Sequence, residues 1–190
     1  MQFGRLVARA VIGGLFVGHG TQKLFGWFGG PGLRGTEEMM GALDMRPTRA
    51  NAVAAGVTET AGGALVVLGA ATPAAAAGLI GTMATAIHKV HKPNGPWAAH
   101  GGWEYNAVLI AALTALIDAG PGDLSVDALV GKEEWGPAWA VGGLAVGGVA
   151  AALAVALGRS GDQASAAPPS HSAIADAAEG ETAGDPVTAD

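Results

Sequence analysis

Seven polar residues able to move a proton or bind a ligand interrupt otherwise apolar stretches of this chain. They are His19, Gln22, Lys23, Glu59, His88, His91 and Glu104. Ionisable groups at membrane depth are costly because hydrocarbon does not solvate them, so they are candidate functional residues by default. If the fold brings them together, they predict a polar site inside a membrane domain.

The apolar stretches between these residues predict membrane helices. Half of the 190 residues are hydrophobic and 14% are charged. A spanning helix needs roughly 20 predominantly apolar residues, and five segments approach that length. They are residues 6–25, 50–71, 73–90, 103–120 and 137–158. The sequence therefore predicts an all-α integral membrane protein, with no competing strand pattern and no repeat.

Antiparallel threading of these helices would place all seven polar residues on one side of the bilayer. At about 1.5 Å of rise per residue, His19 and Glu59 would both lie roughly 12 to 14 Å inside that side. Gln22 and Lys23 follow His19 by three and four residues, so one helix face carries all three side chains. We therefore expect a shared polar layer.

Glu59 is the leading candidate of the set. A carboxylate at this depth must pair with a cation, accept hydrogen bonds or take up a proton, and Lys23 and His19 are the natural partners. Two interpretations stay open. In the structural interpretation, Glu59 and Lys23 form an ion pair that only holds two helices together. In the functional interpretation, the Glu59 carboxylate transfers protons or binds a ligand.

The histidines raise the question of a cofactor. Gly81, Thr85 and His88 are spaced to share one stripe of the third helix, with His91 a turn further on. Imidazole and carboxylate suit zinc or non-haem iron, and His19 with His88 would suit a haem. No Glu-x-x-His motif accompanies them, so no metal site is predicted. A quinone head group needs only one or two hydrogen-bond donors beside an apolar slot and is favoured over haem.

Composition excludes several classes of function. The chain has no cysteine, so thiolate ligands, covalent haem attachment and thiol relays are ruled out within it. No basic patch interleaved with aromatics predicts nucleic-acid binding. Residues 160–190 are acidic and almost free of large apolar side chains, which predicts a disordered tail with His171 as a solvated residue.

Glycine and tryptophan positions suggest how the helices pack. Small residues at helix-contact spacing, which let backbones approach closely, are Gly14 with Gly18, Gly143 with Gly147, and Gly62, Gly63 and Gly69. Packing within one bundle is preferred over a homo-oligomer interface. Segment ends carry Trp27, Trp97, Trp103 and Trp135, as in an aromatic belt. The glycine- and aromatic-rich residues 25–32 predict an interfacial anchor or a lid.

Four motifs resemble those of the DoxX family. They are HGTQKLFGWFGG at residues 19–30, ETAGG at 59–63, VHKPNG at 90–95 and GGWEY at 101–105. The resemblance runs from about Phe3 to about Asp127. The residues carried over on these motifs are His19, Gln22, Lys23, Glu59, His91, Asn94 and Glu104.

This resemblance implies a four-helix bundle in the plasma membrane of a bacterium or archaeon. Family members are associated with quinone-linked sulfur oxidation, as a subunit of thiosulfate:quinone oxidoreductase, and with membrane complexes that handle oxidative stress. The chain departs from the family pattern by a fifth hydrophobic helix and an acidic tail. The expected organisation is a DoxX-like domain at residues 1–128, an additional helix at 129–159 and the tail at 160–190.

The expected function is a multi-pass membrane subunit of quinone-linked redox chemistry. In that reading Glu59, His19 and Lys23 would act at the reacting site, while a quinone-like ligand would contact Gln22, His88, His91, Asn94 and Glu104. The alternative is a non-enzymatic membrane scaffold that recruits a soluble redox partner. A small-solute transporter is a third option, although no paired half-helices are visible.

Overall fold

The computed structural model describes residues 2–165, with side-chain surroundings described over residues 3–158. Its α-helices, numbered along the chain, are α1 Gln2–Phe25, α2 Gly32–Ala42, α3 Thr48–Leu68, α4 Thr72–Ala86, α5 Glu104–Ala119 and α6 Pro137–Ser165. No strand occurs within this part of the chain. Residues 166–190, which include His171 and most of the predicted disordered tail, lie outside the described residues.

Each of the five predicted apolar segments overlaps one α-helix over most of its length. The third segment is α4, which continues into a π-helical turn at Ile87–His91. At the other end of the chain, α6 continues past the predicted end at residue 158 and reaches Ser165. The boundary predicted at residue 160 therefore falls inside a helix.

Fewer helices meet the length and hydropathy expected of a membrane span than the five that were predicted. Over the described residues, two do so: Thr48–Leu68 and Pro137–Gly158, with mean hydropathies of 1.3 and 2.2. α4 and α5 have 15 and 16 residues, fewer than the roughly 17 that a spanning helix needs. α1 has 24 residues but includes two arginines and a lysine.

The helices run so that two ends of the molecule can be defined. At the first, which we call the cavity end, the Thr36 hydroxyl donates to the Lys23 carbonyl and the Arg46 amide donates to the Gly158 carbonyl. The end of α1, the short helix α2, the start of α3 and the last turns of α6 therefore meet there. The opposite end, which we call the Arg9 end, holds the start of α1 and the α5–α6 connection.

A hydrogen-bonded network of two buried charged residues closes the Arg9 end. The Arg9 guanidinium, 2% exposed, donates to the carbonyls of Val67, Pro121 and Leu124 at 3.0, 2.7 and 2.8 Å. Asp127 accepts from the backbone amides of Ala71 and Thr72 at 2.7 and 2.9 Å and from the Trp135 indole at 3.3 Å. These two amides open α4, so Asp127 caps that helix from a distant part of the chain.

α2 was not predicted, and the chain reaches it through a strained turn. Gly26 and Phe28 adopt the left-handed region with φ of 74° and 53°, which turns the chain back along the bundle. The rings of Phe25, Trp27 and Phe28 project into the surroundings, with the most exposed, Phe28, at 77%. Exposed rings at a helix end suit an interfacial anchor, and the chain then forms α2 beside α1 and α3.

Glycines bring α1 and α3 into backbone contact. A Cβ at Gly63 would lie 2.6 Å from the Gly13 carbonyl oxygen and 2.8 Å from the Val17 nitrogen. By the same measure Gly147 of α6 faces Ala77 of α4 at 2.9 Å. The predicted packing within one bundle is thus confirmed for Gly63 and Gly147, whereas Gly14 and Gly18 face away from it.

Replacing Gly63 with alanine should destabilise the protein by about 1–3 kcal/mol, since the added methyl group overpacks a backbone-to-backbone contact. Gly14 is a matched control, because a Cβ there meets nothing within 4 Å. Gly14→Ala should be neutral or stabilise α1 by up to about 1 kcal/mol. Thermal unfolding in detergent, followed by circular dichroism, measures both. Equal behaviour of the two variants would contradict the tight α1–α3 contact.

Candidate functional site

The site is centred on an ion pair between α1 and α3. Lys23 Nζ lies 2.6 Å from Glu59 Oε2, as the predicted pairing of these two residues requires. The Glu59 side chain is 3% exposed and that of Lys23 is 23% exposed. The carboxylate is therefore sealed among the helices, whereas the ammonium keeps partial access to the outside.

This ion pair forms part of the wall of a cavity of about 610 Å³. Every α-helix contributes to the wall, which is mainly apolar; four of the predicted site residues contribute polar groups: His19, Lys23, Glu59 and His91. Cavities of this size with a few convergent polar groups are typical of small-molecule binding sites. The fold therefore brings together all three residues predicted to act at a reacting site and one predicted ligand contact.

His19 and Gln22 hydrogen-bond to each other near the mouth of the cavity. His19 Nδ1 lies 3.2 Å from Gln22 Oε1, as expected for residues three apart on a helix. His19 contributes to the cavity wall and is also exposed. Gln22 does not reach the wall: its Cβ would lie 2.5 Å from a Cβ at Gly30, so it packs under the turn before α2. The prediction that Gln22 contacts a ligand is not supported by this position.

The two histidines of the π-helical turn after α4 line different cavities. His91 lines the main cavity, whereas His88 lines a separate cavity of about 450 Å³ between α4 and α6. The predicted stripe of Gly81, Thr85 and His88 is therefore wrong in its last member. The stripe continues to Lys89 instead, which follows Thr85 by four residues as on one face of an α-helix. His19 and His88 line different cavities, so the two imidazoles do not face a common site for a haem.

Asn94 and Glu104 organise the α4–α5 connection and do not line the cavity. His91 Nδ1 and Asn94 Nδ2 both donate to the Gly101 carbonyl, at 2.8 and 3.2 Å. The Glu104 carboxylate accepts from the Ala98 amide at 2.9 Å. Asn94 and Glu104 therefore make loop hydrogen bonds and neither lines the cavity, and their role as ligand contacts stays a prediction. Their effect on the site is indirect, since the shared Gly101 carbonyl orients the His91 ring.

Residues not predicted as part of the site complete its wall. Asn106 of α5 lines the cavity while being 6% exposed. Four of the five methionines of the chain also line it: Met39, Met40, Met45 and Met83. An amide among apolar residues of a helix was a signal available in the sequence. The methionines gave no comparable signal in the sequence, because Met39 and Met40 reach the cavity through the unpredicted helix α2 and Met45 follows that helix.

The histidines and carboxylates of the described region do not form a metal centre. No group of three or more His, Asp or Glu side chains there is close enough to hold an ion.

Comparison with protein families shows that the DoxX family model matches residues 4–92, which cover α1 from its third residue onward, α2 to α4 and the π-helical turn. This range includes His19, Lys23, Glu59 and His91, but it ends before the predicted limit near residue 127. Asn94, Glu104 and Asn106 lie outside it. Neither the comparison with curated proteins nor that with solved structures gave a match.

Proposed function

We propose that this chain, whose residues 4–92 match the DoxX family model, is a multi-pass protein of the bacterial plasma membrane that takes part in quinone-linked redox chemistry. In this proposal the cavity binds a quinone-like head group, or passes protons to one, as part of an oxidoreductase complex. A redox partner protein supplies or accepts the electrons, since the chain has no cysteine of its own.

The observation that carries the proposal is a buried ion pair on the wall of a largely apolar cavity. A charge pair that served packing alone would have no need of open space beside it. Here Lys23 and Glu59 both line the cavity, and His19 and His91 line it as well. Imidazoles exchange protons near neutral pH, and a lysine beside a carboxylate offers both a donor and an acceptor. Quinone reduction needs these groups, because it takes up protons along with electrons.

Replacing Glu59 with glutamine tests the proposal, since it keeps the size of the side chain and removes its charge. We expect the affinity of the purified full-length protein in lipid nanodiscs for decylubiquinone to fall about tenfold, equivalent to about 1.4 kcal/mol. Glu38→Gln is the matched control, because Glu38 is 70% exposed, pairs with Arg34 on the surface and lies away from the cavity. Wild-type affinity in the Glu59 variant, or no binding by the wild type, would contradict the proposal.

The competing proposal is a membrane scaffold for a soluble redox partner. The observation that favours it is that Lys23 and Glu59 join α1 to α3, the two helices whose backbones meet at Gly13 and Gly63. The ion pair would then only fix the register of these helices. A scaffold predicts that Glu59→Gln lowers thermal stability and partner recruitment together, with no quinone binding at any stage.

A further inference from the structure

Lys89 is a cation on the cavity wall that has no partner within the described part of the chain. It lies in the π-helical turn after α4, is partly buried and lines the main cavity. Over residues 2–165 no ion pair or hydrogen bond joins its ammonium group to another residue. A charge that has lost part of its hydration is stabilised by an opposite charge or by hydrogen bonds. A ligand in the cavity can supply both.

The cavity wall as a whole carries an excess of positive charge. Lys23 and Glu59 lie 2.6 Å apart and neutralise each other. Glu59 is the only acidic residue on the described wall, so Lys89 is left without a matching carboxylate. His19 and His91 also line the cavity and add no negative charge. An anionic group that enters the cavity therefore meets one uncompensated cation.

The shape of the cavity suits an elongated ligand with its charge at one end. Residues of α4 and the following turn line it from Gly78 to Lys89, which are 11 residues apart in the chain. This separation corresponds to about 16 Å along the helix axis. At the Gly78 end the wall is apolar and built of small residues, with Ala150 and Ala154 contributed by α6. The long axis therefore leads from a cation at the cavity end into an apolar interior.

The remaining wall and the position of the cavity both suit a lipid. Flexible apolar side chains line it, those of Met39, Met40, Met45 and Met83. Methionine adapts to irregular apolar shapes, as an alkyl chain requires. The exposed rings of residues 25–28 lie at the same end of the molecule as Lys89 and suit the headgroup layer of a membrane. A lipid with its head group at Lys89 would thus keep that head group near its usual depth.

We infer that this cavity binds a single-chain lipid with a carboxylate head group, and that Lys89 is the residue that contacts the carboxylate. One free cation matches the single charge of a carboxylate. A phosphate monoester carries roughly 1.5 to 2 negative charges at pH 7, more than Lys89 compensates. The inference goes beyond the proposed function, since it assigns the cavity a second class of ligand and does not require that quinone binds.

The test compares oleate with oleyl alcohol, which has the same chain and no charge. Binding to the full-length protein is measured in zwitterionic lipid nanodiscs, and binding to empty nanodiscs is subtracted. The wild type should bind oleate about tenfold more tightly than oleyl alcohol, the effect of roughly one charge-assisted hydrogen bond. Lys89→Gln should weaken oleate binding by the same factor and leave the binding of oleyl alcohol within about twofold, because only the charge of the contact is lost.

Two further variants separate a direct contact from general attraction by positive charge. Lys89→Arg keeps the charge and should keep the preference for oleate. Lys92→Gln removes a nearby cation that is exposed and does not line the cavity, so it should also keep that preference. Loss of the preference in Lys92→Gln would assign it to the overall charge of this end of the molecule and would overturn the inference.

The other outcomes that would overturn the inference are distinct. They are equal affinity of the wild type for the two probes, an unchanged preference in Lys89→Gln, and an equal loss of both probes in that variant, which would make the role of Lys89 structural. Tighter binding of oleoyl lysophosphatidate than of oleate would contradict the carboxylate assignment.

Decylubiquinone, measured in parallel, separates this inference from the proposed function. Oleate binding without quinone binding would leave the inference standing and contradict the proposed function. Quinone binding without a preference for oleate would do the reverse. If both ligands bind, oleate should displace decylubiquinone, because they share one cavity.

Discussion

Replacing Lys23 with methionine is expected to destabilise the protein by about 3–5 kcal/mol, the usual cost of leaving one member of a buried ion pair without its partner. Replacing Glu59 with leucine should cost clearly less. The difference follows from burial: the Glu59 side chain is 3% exposed and cannot reach solvent, whereas that of Lys23 is 23% exposed. A lysine left alone can extend its ammonium outward, but a sealed carboxylate cannot.

The double variant, Lys23→Met with Glu59→Leu, should recover most of the stability lost in Lys23→Met. A buried ion pair replaced by apolar residues of similar volume is often neutral or stabilising. Thermal unfolding of all four proteins in the same detergent completes the cycle and gives the coupling between the two residues. Equal costs in the two single variants, or costs that simply add in the double variant, would contradict the asymmetric burial.

The double variant also separates the two proposed functions. If it folds as the wild type does but no longer binds decylubiquinone, the ion pair serves a binding site. If stability and partner recruitment fall together and neither the double variant nor the wild type binds decylubiquinone, the ion pair serves the scaffold. The comparison is informative because the double variant removes the chemistry of the pair while keeping the volume that packs α1 against α3.

The sequence predicted those parts of the site that depend on helix periodicity. Residues His19 and Lys23 are four apart on one helix, and antiparallel packing of α1 with α3 places Glu59 beside them. The helices could be predicted from long apolar segments separated by glycine and proline, because apolar composition and turn-forming residues are local properties of the sequence. The Lys23–Glu59 pair could therefore be proposed before the structure was known.

Other parts of the site depended on features that periodicity does not encode. In the π-helical turn at residues 87–91, Lys89 lines the main cavity and His88 does not. Asn94 and Glu104 hydrogen-bond to backbone groups of the α4–α5 connection, a local demand that a sequence motif does not reveal. α2 has low apolar content and follows a glycine-rich turn, so a search for long apolar segments does not find it.

Arg9 was not among the predicted site residues, yet removing it is expected to have one of the largest effects in the chain. Arg9→Met deletes three charge-assisted hydrogen bonds and leaves the carbonyls of Val67, Pro121 and Leu124 without that donor. Each such bond contributes roughly 1.5–3 kcal/mol. We expect a loss of at least about 3 kcal/mol in the free energy of unfolding, measured by denaturant titration in detergent.

Arg9→Lys should recover little of this loss, because a compact ammonium cannot bridge three separate carbonyls as the planar guanidinium does. Arg5→Met is the control on the same helix: Arg5 forms a 3.8 Å ion pair with Glu134, whose side chain is 75% exposed, so its loss should cost at most about 1 kcal/mol. Arg9 lies at the opposite end from the cavity, so Arg9→Met at a temperature where it is folded should still bind decylubiquinone as the wild type does. Full rescue by lysine would show that charge alone holds the Arg9 end together, and it would contradict the three-carbonyl clamp.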